Sequence, residues 1–398
     1  MPADPGREVQ PIPPSPAAEV WIDRRRFLFL TGAAAAAYAL QPALAWAKKF
    51  PAGTPLLQPW SLPEEVGGAP ADVARALVGA AILAPSFWNT QPWRFESEQN
   101  VVRIVVDSQR ALGALDADRR NLHLSLGAAL ENLLIAARGY GLRPSVTYLP
   151  EQGPPGVVAS VAWTASDVRR DRSLFTAIPE RRTNRHEYDG RGIYLQNRAQ
   201  LGAQIPDDFR LHWLDDRDKI KRLADVTRDA VKAQMDDARA AHERYAWMRF
   251  GDDETRRGDG ISVDQFEIDG LAHWFAGRYF NPDSWMFRFG PENAAKQARG
   301  QVRSSGAMAL LTTPRGGPAQ WLAGGQAYER FALKATTLGV AHHPMSEPLD
   351  RDATRAEVAR LFGAGNEQPL MLVRLGHAKP PKASSRRNVN LVASFRTI

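Results

Sequence analysis

The sequence contains no cysteine. Disulfides, thiolate nucleophiles and cysteine-based metal sites are therefore excluded, and an oxidising compartment holds no hazard for the chain. Also missing are a Gly-x-Ser-x-Gly elbow, a phosphate-cradling Walker loop and a His-Glu-x-x-His pair, which removes three common routes to hydrolytic or phosphoryl chemistry. The adjacent pair His342-His343 does not make a metal site, because neighbouring side chains diverge and no third ligand stands at suitable spacing. Basic residues exceed acidic ones only modestly, at a formal net charge of +7 over 398 residues, and the two signs are interleaved. No Lys/Arg run alternates with aromatics, so nucleic acid is not an expected partner, whereas a small anionic ligand is. Beyond about residue 47 no run is long and apolar enough to span a bilayer, and that remainder is expected to be soluble.

Residues 1–50 read as an address and not as a fold. A Pro-rich leader precedes Asp23-Arg24-Arg25-Arg26-Phe27-Leu28 and an apolar, Ala-rich run to about Ala47. The pattern resembles a twin-arginine export signal, with small-residue cleavage options at Ala43-Leu44-Ala45 or Ala45-Trp46-Ala47 and with Asp23 where Ser or Thr is usual. An uncleaved membrane anchor is the alternative, against which Gly32, Gln41 and Pro42 weigh. The expectation is a periplasmic protein handed folded to the twin-arginine machinery, a route used most often when a cofactor must be loaded before export.

Residues 51–70 are rich in Pro and Gly and read as a linker arm. Helical spacing of Val73, Leu77, Ala80, Ala81 and Ala84 predicts a helix from about Ala71 to Leu83, stopped by Pro85. Strands are expected at 101–106, 157–163, 307–312 and 370–375, and buried helices at 122–138 and 321–338. A charge-laced helical pattern runs from about Arg217 to Phe250, and the tail from Lys379 reads as basic and extended.

The two buried helices match one another without gaps. Gly127, Ala129, Glu131, Ala137 and Gly141 align with Gly325, Ala327, Glu329, Ala335 and Gly339, each copy starting at a small residue and ending at a glycine suited to a helix C-terminus. Two unrelated buried helices of similar composition would be the bland explanation. A repeat implies two halves that fold alike, at 71–165 and 166–398, each a sheet with packed helices in an α+β arrangement.

Two segments carry the candidate chemistry. Ala84-Pro85-Ser86-Phe87-Trp88-Asn89-Thr90-Gln91-Pro92-Trp93 crowds polar side chains between two prolines, so that several donors and acceptors can address one planar ligand; read plainly, it is a turn satisfying its own backbone. In Arg181-Arg182-Thr183-Asn184-Arg185, alternation puts Arg181, Thr183 and Arg185 on one side of an extended stretch, where guanidinium forks and a hydroxyl can surround a phosphate; a solvated basic run is the alternative.

The first segment resembles the Ser-x-x-Asn-x-Gln-Pro-Trp turn of the nitroreductase family and the second its Arg-x-Ser/Thr-x-Arg signature. The segment Gly339 to Leu349 is similar to the family's loop against the flavin ring, and Ser384-Ser385-Arg386-Arg387-Asn388 to its C-terminal basic element. Family members pair two chains around each flavin, whereas here the turn lies in the first half and the arginine signature in the second. The resemblance therefore implies a single-chain pseudo-dimer of the exported, Acg-like branch, with one composite FMN site. It assigns the phosphate to Arg181, Thr183, Arg185, Arg386 and Arg387, the ribityl chain and ring to Ser86, Asn89 and Gln91, a wall over the ring to Trp88, and largely backbone contacts to Pro344, Met345 and Ser346. The chemistry would belong to flavin N5, with no protein acid or nucleophile required. The implied activity is reduction of a nitro compound or quinone, with NAD(P)H or a quinol as donor; a flavin-sequestering protein with little turnover is the alternative.

Overall fold

The computed structural model describes residues 57–151, 155–166, 170–250, 252–262, 265 and 290–396. The chain divides into two units, Met1–Gly53 and Thr54–Ile398. The export-signal motif and its apolar run lie outside the described residues, as does the linker arm up to residue 56. Among the described residues no helix is long and apolar enough to cross a membrane.

Two sheets, both in the second unit, share one topology. The first contains β1 (Trp93–Glu98), β2 (Val101–Val106), β3 (Leu142–Tyr148) and β4 (Val157–Ala165), in the spatial order β1-β2-β4-β3 with antiparallel pairing throughout. The second contains β5 (Arg210–Leu214), β8 (Ala307–Thr313), β9 (Ala341–Met345) and β10 (Gln368–Gly376), in the order β5-β8-β10-β9, again all antiparallel. Short parallel strands β6 (Met248–Arg249) and β7 (Ile261–Ser262) lie between β5 and β8 in sequence. In each half a long helix follows the second strand of the sheet. The repeat seen in the sequence is thus a repeat of fold, and the molecule is an α+β pseudo-dimer.

Those helices are α2 (Arg120–Gly139) in the first half and α7 (Pro318–Thr337) in the second; α1 (Pro70–Ala81) precedes them. They cross at their matched glycines. A Cβ on Gly127 would strike the carbonyl oxygen of Leu322, and one on Gly325 would strike that of Leu124, Leu322 being the repeat counterpart of Leu124. This reciprocity is what a local two-fold axis produces. Both helices stop at a glycine with positive φ, Gly141 at 80° and Gly339 at 64°. At the second, Gly339 N–H donates to Thr336 and Val340 N–H to Ala335, a Schellman end that frees the chain to continue as β9. His342 and His343 therefore sit in a strand paired with β10, not in the loop expected after the helix.

The halves differ in what separates their first two strands. A tight hairpin joins β1 to β2, whereas residues 215–306 separate β5 from β8 and supply α4 (Arg217–Asp236), α5 (Ala238–Ala246) and α6 (Gly290–Arg303), numbered after the short α3 (Leu195–Gly202). The helical pattern read over 217–250 breaks at Asp237, whose carboxylate accepts from Arg239 N and Ala240 N and so starts a new helix. The insertion covers the second sheet. Met308, Leu310 and Leu372 face α4, α6 and α8 (Asp352–Phe362), while Ala307, Ala309 and Val373 face α7, so β8 is buried along its whole length. The tail is only partly the extended arm expected. Asn388 caps a single helical turn over Val389–Val392, and β11 (Ala393–Arg396) then pairs parallel with β1, carrying the C-terminus of the second half into the first sheet.

Candidate functional site

The proline-flanked turn adopts a conformation that ordinary residues avoid. Trp88, Asn89 and Gln91 each have φ of 51°, and left-handed backbone costs a non-glycine residue about 1 kcal/mol or more, so the surroundings must hold it in place. Ser86 Oγ accepts from Gln91 N at 3.0 Å, and Phe87 N donates to Ser125 Oγ on α2 at 3.1 Å. Asn89 Nδ2 donates to the carbonyls of Gly260 (2.9 Å) and Ser385 (3.1 Å), and its Oδ1 accepts from Arg386 Nη1 at 2.8 Å. Gln91 Nε2 donates to Gly258 O at 2.6 Å, and its Oε1 accepts from Arg387 N at 3.0 Å. Both amides are buried and act as staples joining the turn, the 258–260 loop and the C-terminal segment, which leaves little of their hydrogen-bonding capacity for a ligand.

Three arginines from the second half close on this turn. Arg386 Nη2 donates to Ala84 O at 3.0 Å, and its guanidinium lies 4.8 Å from the Trp60 ring. Arg387 Nη2 donates to Gln91 O at 2.8 Å. Arg181 reaches Leu83 O with Nη2 at 3.4 Å, while its Nε stands 3.5 Å from Glu329 Oε1 on α7. All three are buried, yet among the described residues Nε and Nη1 of Arg181 and Nε of Arg386 and of Arg387 have no hydrogen-bond acceptor. Burial, with the charge of Arg110 adding to it, pushes Arg387 down to about 9. Burial, with Arg181 and Arg182 beside it, presses Arg386 well below the usual arginine range. Burial raises Glu329 to about 7 against the pull of Arg181 and Arg386, so the carboxylate there only partly offsets the cations. Guanidinium groups stay protonated under such pressure, so the cluster carries a surplus of positive charge and unused donors.

The irregular segment that begins at Arg181 is fixed to the second sheet. Asn184 N donates to His342 O at 3.0 Å, and Arg374 on β10 donates to the carbonyls of Asn184 (3.0 Å), His186 (2.7 Å) and Gln301 (2.9 Å) and to His343 Nδ1 (3.0 Å). Burial and the nearby Arg181 hold His342 down to about 3, so it is neutral. Thr183 and Arg185 stay part-exposed on this segment. On β9, Pro344 and Met345 pair with Val373 and Leu372 of β10, the Met345 side chain entering the core, and part-exposed Ser346 follows at the strand's end. The structure thus brings Ser86, Asn89, Gln91, Arg181, Arg386 and Arg387 into one seam. It connects Thr183, Arg185 and Pro344 to Ser346 to that seam through the Asn184–His342 contact.

Sequence reasoning missed the third wall. Asp259 accepts from Arg110 Nη1 (2.9 Å) and from Arg249 Nη2 (2.7 Å), and its flanking glycines receive the two staple amides. Burial would raise Asp259, but the two guanidiniums outweigh it and hold the carboxyl low. The only sequence cue was the glycine- and aspartate-rich character of this stretch, since its partners in the turn and in the first half lie more than a hundred residues away.

No family model matches the chain. Two Mycobacterium tuberculosis proteins, both provisionally named NAD(P)H nitroreductases, are similar to it. One is 27% identical over 343 residues, covering 82% of this chain and 92% of its own; the other, named acg, is 28% identical over 337 residues, covering 82% and 96%. A solved FMN-dependent nitroreductase from Mycobacterium smegmatis, in complex with NADPH, aligns with 54% of this chain and 95% of its own at 16% identity and a TM-score of 0.32. Over most of its length, then, the chain is similar to full-length mycobacterial proteins that carry the nitroreductase name.

Proposed function

We propose that this chain is an FMN-dependent oxidoreductase of nitroreductase type, with one composite site at the seam between its halves. The observation that carries the reading is the set of four guanidinium nitrogens, on Arg181, Arg386 and Arg387, that are buried without acceptors beside the strained Ser86–Gln91 turn. Such donors fit a phosphate dianion, whose oxygens accept several charge-assisted hydrogen bonds at once. Thr183 and Arg185, part-exposed on the adjoining segment, would complete its shell, and the backbone from Pro344 to Ser346 would border the ring. The similarity to provisionally named nitroreductases supports the same choice.

Bound flavin would supply the hydride or electron chemistry, so the protein's task is to bind, orient and exclude water. Asn89 and Gln91 contribute mainly by holding three walls together. The acceptor is a small molecule such as a nitro compound or quinone, with NAD(P)H or a quinol as donor. We further propose that the chain is exported through the twin-arginine-like motif at Asp23–Leu28. Because the staple amides are already satisfied by protein, a flavin-holding role with little turnover remains the second reading.

Absorbance in the flavin bands of protein purified from the exporting compartment tests the first claim, and anaerobic bleaching by NADPH, NADH or a quinol separates the two readings. Replacing Arg181 and Arg185 together with Ala should weaken FMN binding by about 2–5 kcal/mol. Unchanged affinity in a fluorescence-quenching titration refutes the phosphate assignment.

A further inference from the structure

Arg244 lies in α5, on the face turned toward the first half. This helix is clamped before any ligand arrives: the carboxylate of Glu243 accepts from the backbone N–H groups of Gly113, Ala114 and Leu115 at 2.7, 2.9 and 2.8 Å. Asp237 caps its start, and Ala240 packs in one apolar cluster with Trp88, Leu112, Leu115 and Ile261. The next residue, Arg244, is held with its guanidinium 4.8 Å from the centre of the Trp88 ring. Its Nη1 is sealed from solvent and has no hydrogen-bond acceptor among the described residues.

Several neighbouring arginines have a carboxylate or carbonyl partner, whereas Arg120, Arg181, Arg386 and Arg387 share with Arg244 at least one nitrogen without an acceptor among the described residues. Arg110 and Arg249 share Asp259, Arg120 meets Asp350 at 2.8 Å, and Arg374 has three carbonyls. For Arg244 the nearest opposite influence is the charge of Glu347, and among the described residues the two form no ion pair. Leaving a donor of a charged group buried and unmet costs more than a typical hydrogen bond returns. Here that donor stands over the aromatic residue of the strained turn, near enough to Glu347 for that charge to act on it.

We propose that Arg244 anchors an anionic group, a carboxylate or phosphate, on the small molecule that exchanges electrons at this site. The inference rests on the flavoprotein reading above. The fixed helix and the Trp88 ring against which the guanidinium rests hold the fork without further ordering, so an acidic group that reaches it is met by a preset donor. The acid could belong to the acceptor or to a dinucleotide donor.

Calorimetric and flavin-difference titrations with 4-nitrobenzoate, neutral 4-nitrobenzamide and NADP⁺ distinguish these sources. Arg244→Met keeps the stem over Trp88 and removes the charge, while Arg244→Lys keeps the charge without the fork. The expected result is about a tenfold or larger loss of affinity in Arg244→Met for at least one anionic probe, partly restored in Arg244→Lys, with 4-nitrobenzamide binding and FMN content unchanged. Loss confined to 4-nitrobenzoate assigns the acid to the acceptor, and loss confined to NADP⁺ assigns it to the donor. A wild type indifferent to probe charge overturns the proposal, as does equal weakening of charged and neutral probes or loss of FMN from Arg244→Met. Calorimetry reads the same comparison on flavin-free protein, so a failure of the flavoprotein reading does not conceal the answer.

Discussion

Adding one methyl group at the crossing of the two central helices should be among the most damaging small changes in this protein. At Gly325→Ala the new Cβ falls within the van der Waals sphere of Leu124 O and close to the Leu124 carbonyl carbon and Cα. The obstacle is helical backbone, which cannot rotate aside, so the helices must part by roughly 1 Å along a contact that is otherwise fully buried. Overpacking of side chains costs about 1–3 kcal/mol, and a backbone clash lies at or above the top of that range. The parting also strains the bonds one turn on, where Gln326 Nε2 donates to Glu131 at 2.9 Å and Arg330 pairs with it at 3.5 Å. Alanine's better helix propensity returns about 1 kcal/mol, leaving a net loss of about 2–4 kcal/mol. Urea denaturation followed by circular dichroism, with the m-value checked for constancy, measures it. Gly202→Ala, at the end of α3 with open space around it, is the control. Gly127→Ala should resemble Gly325→Ala, and the double variant should lose less than the two single losses combined, because one separation relieves both clashes. If Gly325→Ala matched the Gly202→Ala control, the close crossing and the two-fold reading built on it would both fall.

Asp259→Asn leaves Arg110 and Arg249 facing each other without their shared carboxylate; unfolding measurements should record a loss of about 3–5 kcal/mol, and Asp259→Ala should do no better. Asp237→Ala removes the cap of α5 and should cost about 1 kcal/mol in the same assay, while Asp236→Ala, with no capping role, should cost less. Burial raises Glu329 from 4.5 to about 7, so the folded state holds this proton more tightly than the unfolded chain. The associated stability is complete below about 4.5 and is lost as pH rises through about 7. Melting temperatures recorded from pH 5 to 8 should therefore fall more steeply in the wild type than in Glu329→Gln, and parallel curves would show that Glu329 is ionised throughout.

How much of the fold is readable in the sequence depends on how local each signal is. The central helices were legible because small and apolar residues nearly surround them, and because the copies share a start, a glutamate and a terminal glycine. β8 was legible as a short apolar run, since helices cover both its faces. β1 was missed because one face is open, so Arg94 and Glu96 interrupt its apolar residues and the proline-rich turn dominates its start. β3 carries Pro144 and mostly exposed side chains, as an edge strand permits. β11 depends on a pairing with β1 some three hundred residues away, for which the tail holds no local cue. The site divides in the same way. The turn and the arginine segment stood out by composition, but the staple bonds to Gly258 and Gly260, and the unanswered Arg244, exist only once the insertion has folded onto the first half.

The duplication also explains why one seam and not two should hold a ligand. Glu131 and Glu329 are repeat counterparts on the paired helices, both buried, and in an exact dimer their surroundings would be the same. They are not. Glu131 accepts from Gln326 at 2.9 Å and pairs with Arg330 at 3.5 Å, both on the opposite helix. Among the described residues Glu329 makes no well-formed hydrogen bond, only a loose approach from Asn132, and it faces Arg181, which leaves two of its own nitrogens without acceptors. Each glutamate thus faces a guanidinium at 3.5 Å whose Nε has no hydrogen bond, but only Glu131 gains a hydrogen bond from the opposite helix and only Arg181 leaves a second nitrogen unmet, which locates the difference between the halves at Arg181. An anion bound there would complete the hydrogen bonding that the other side achieves within the protein, and the first half carries no arginine signature with which to repeat it.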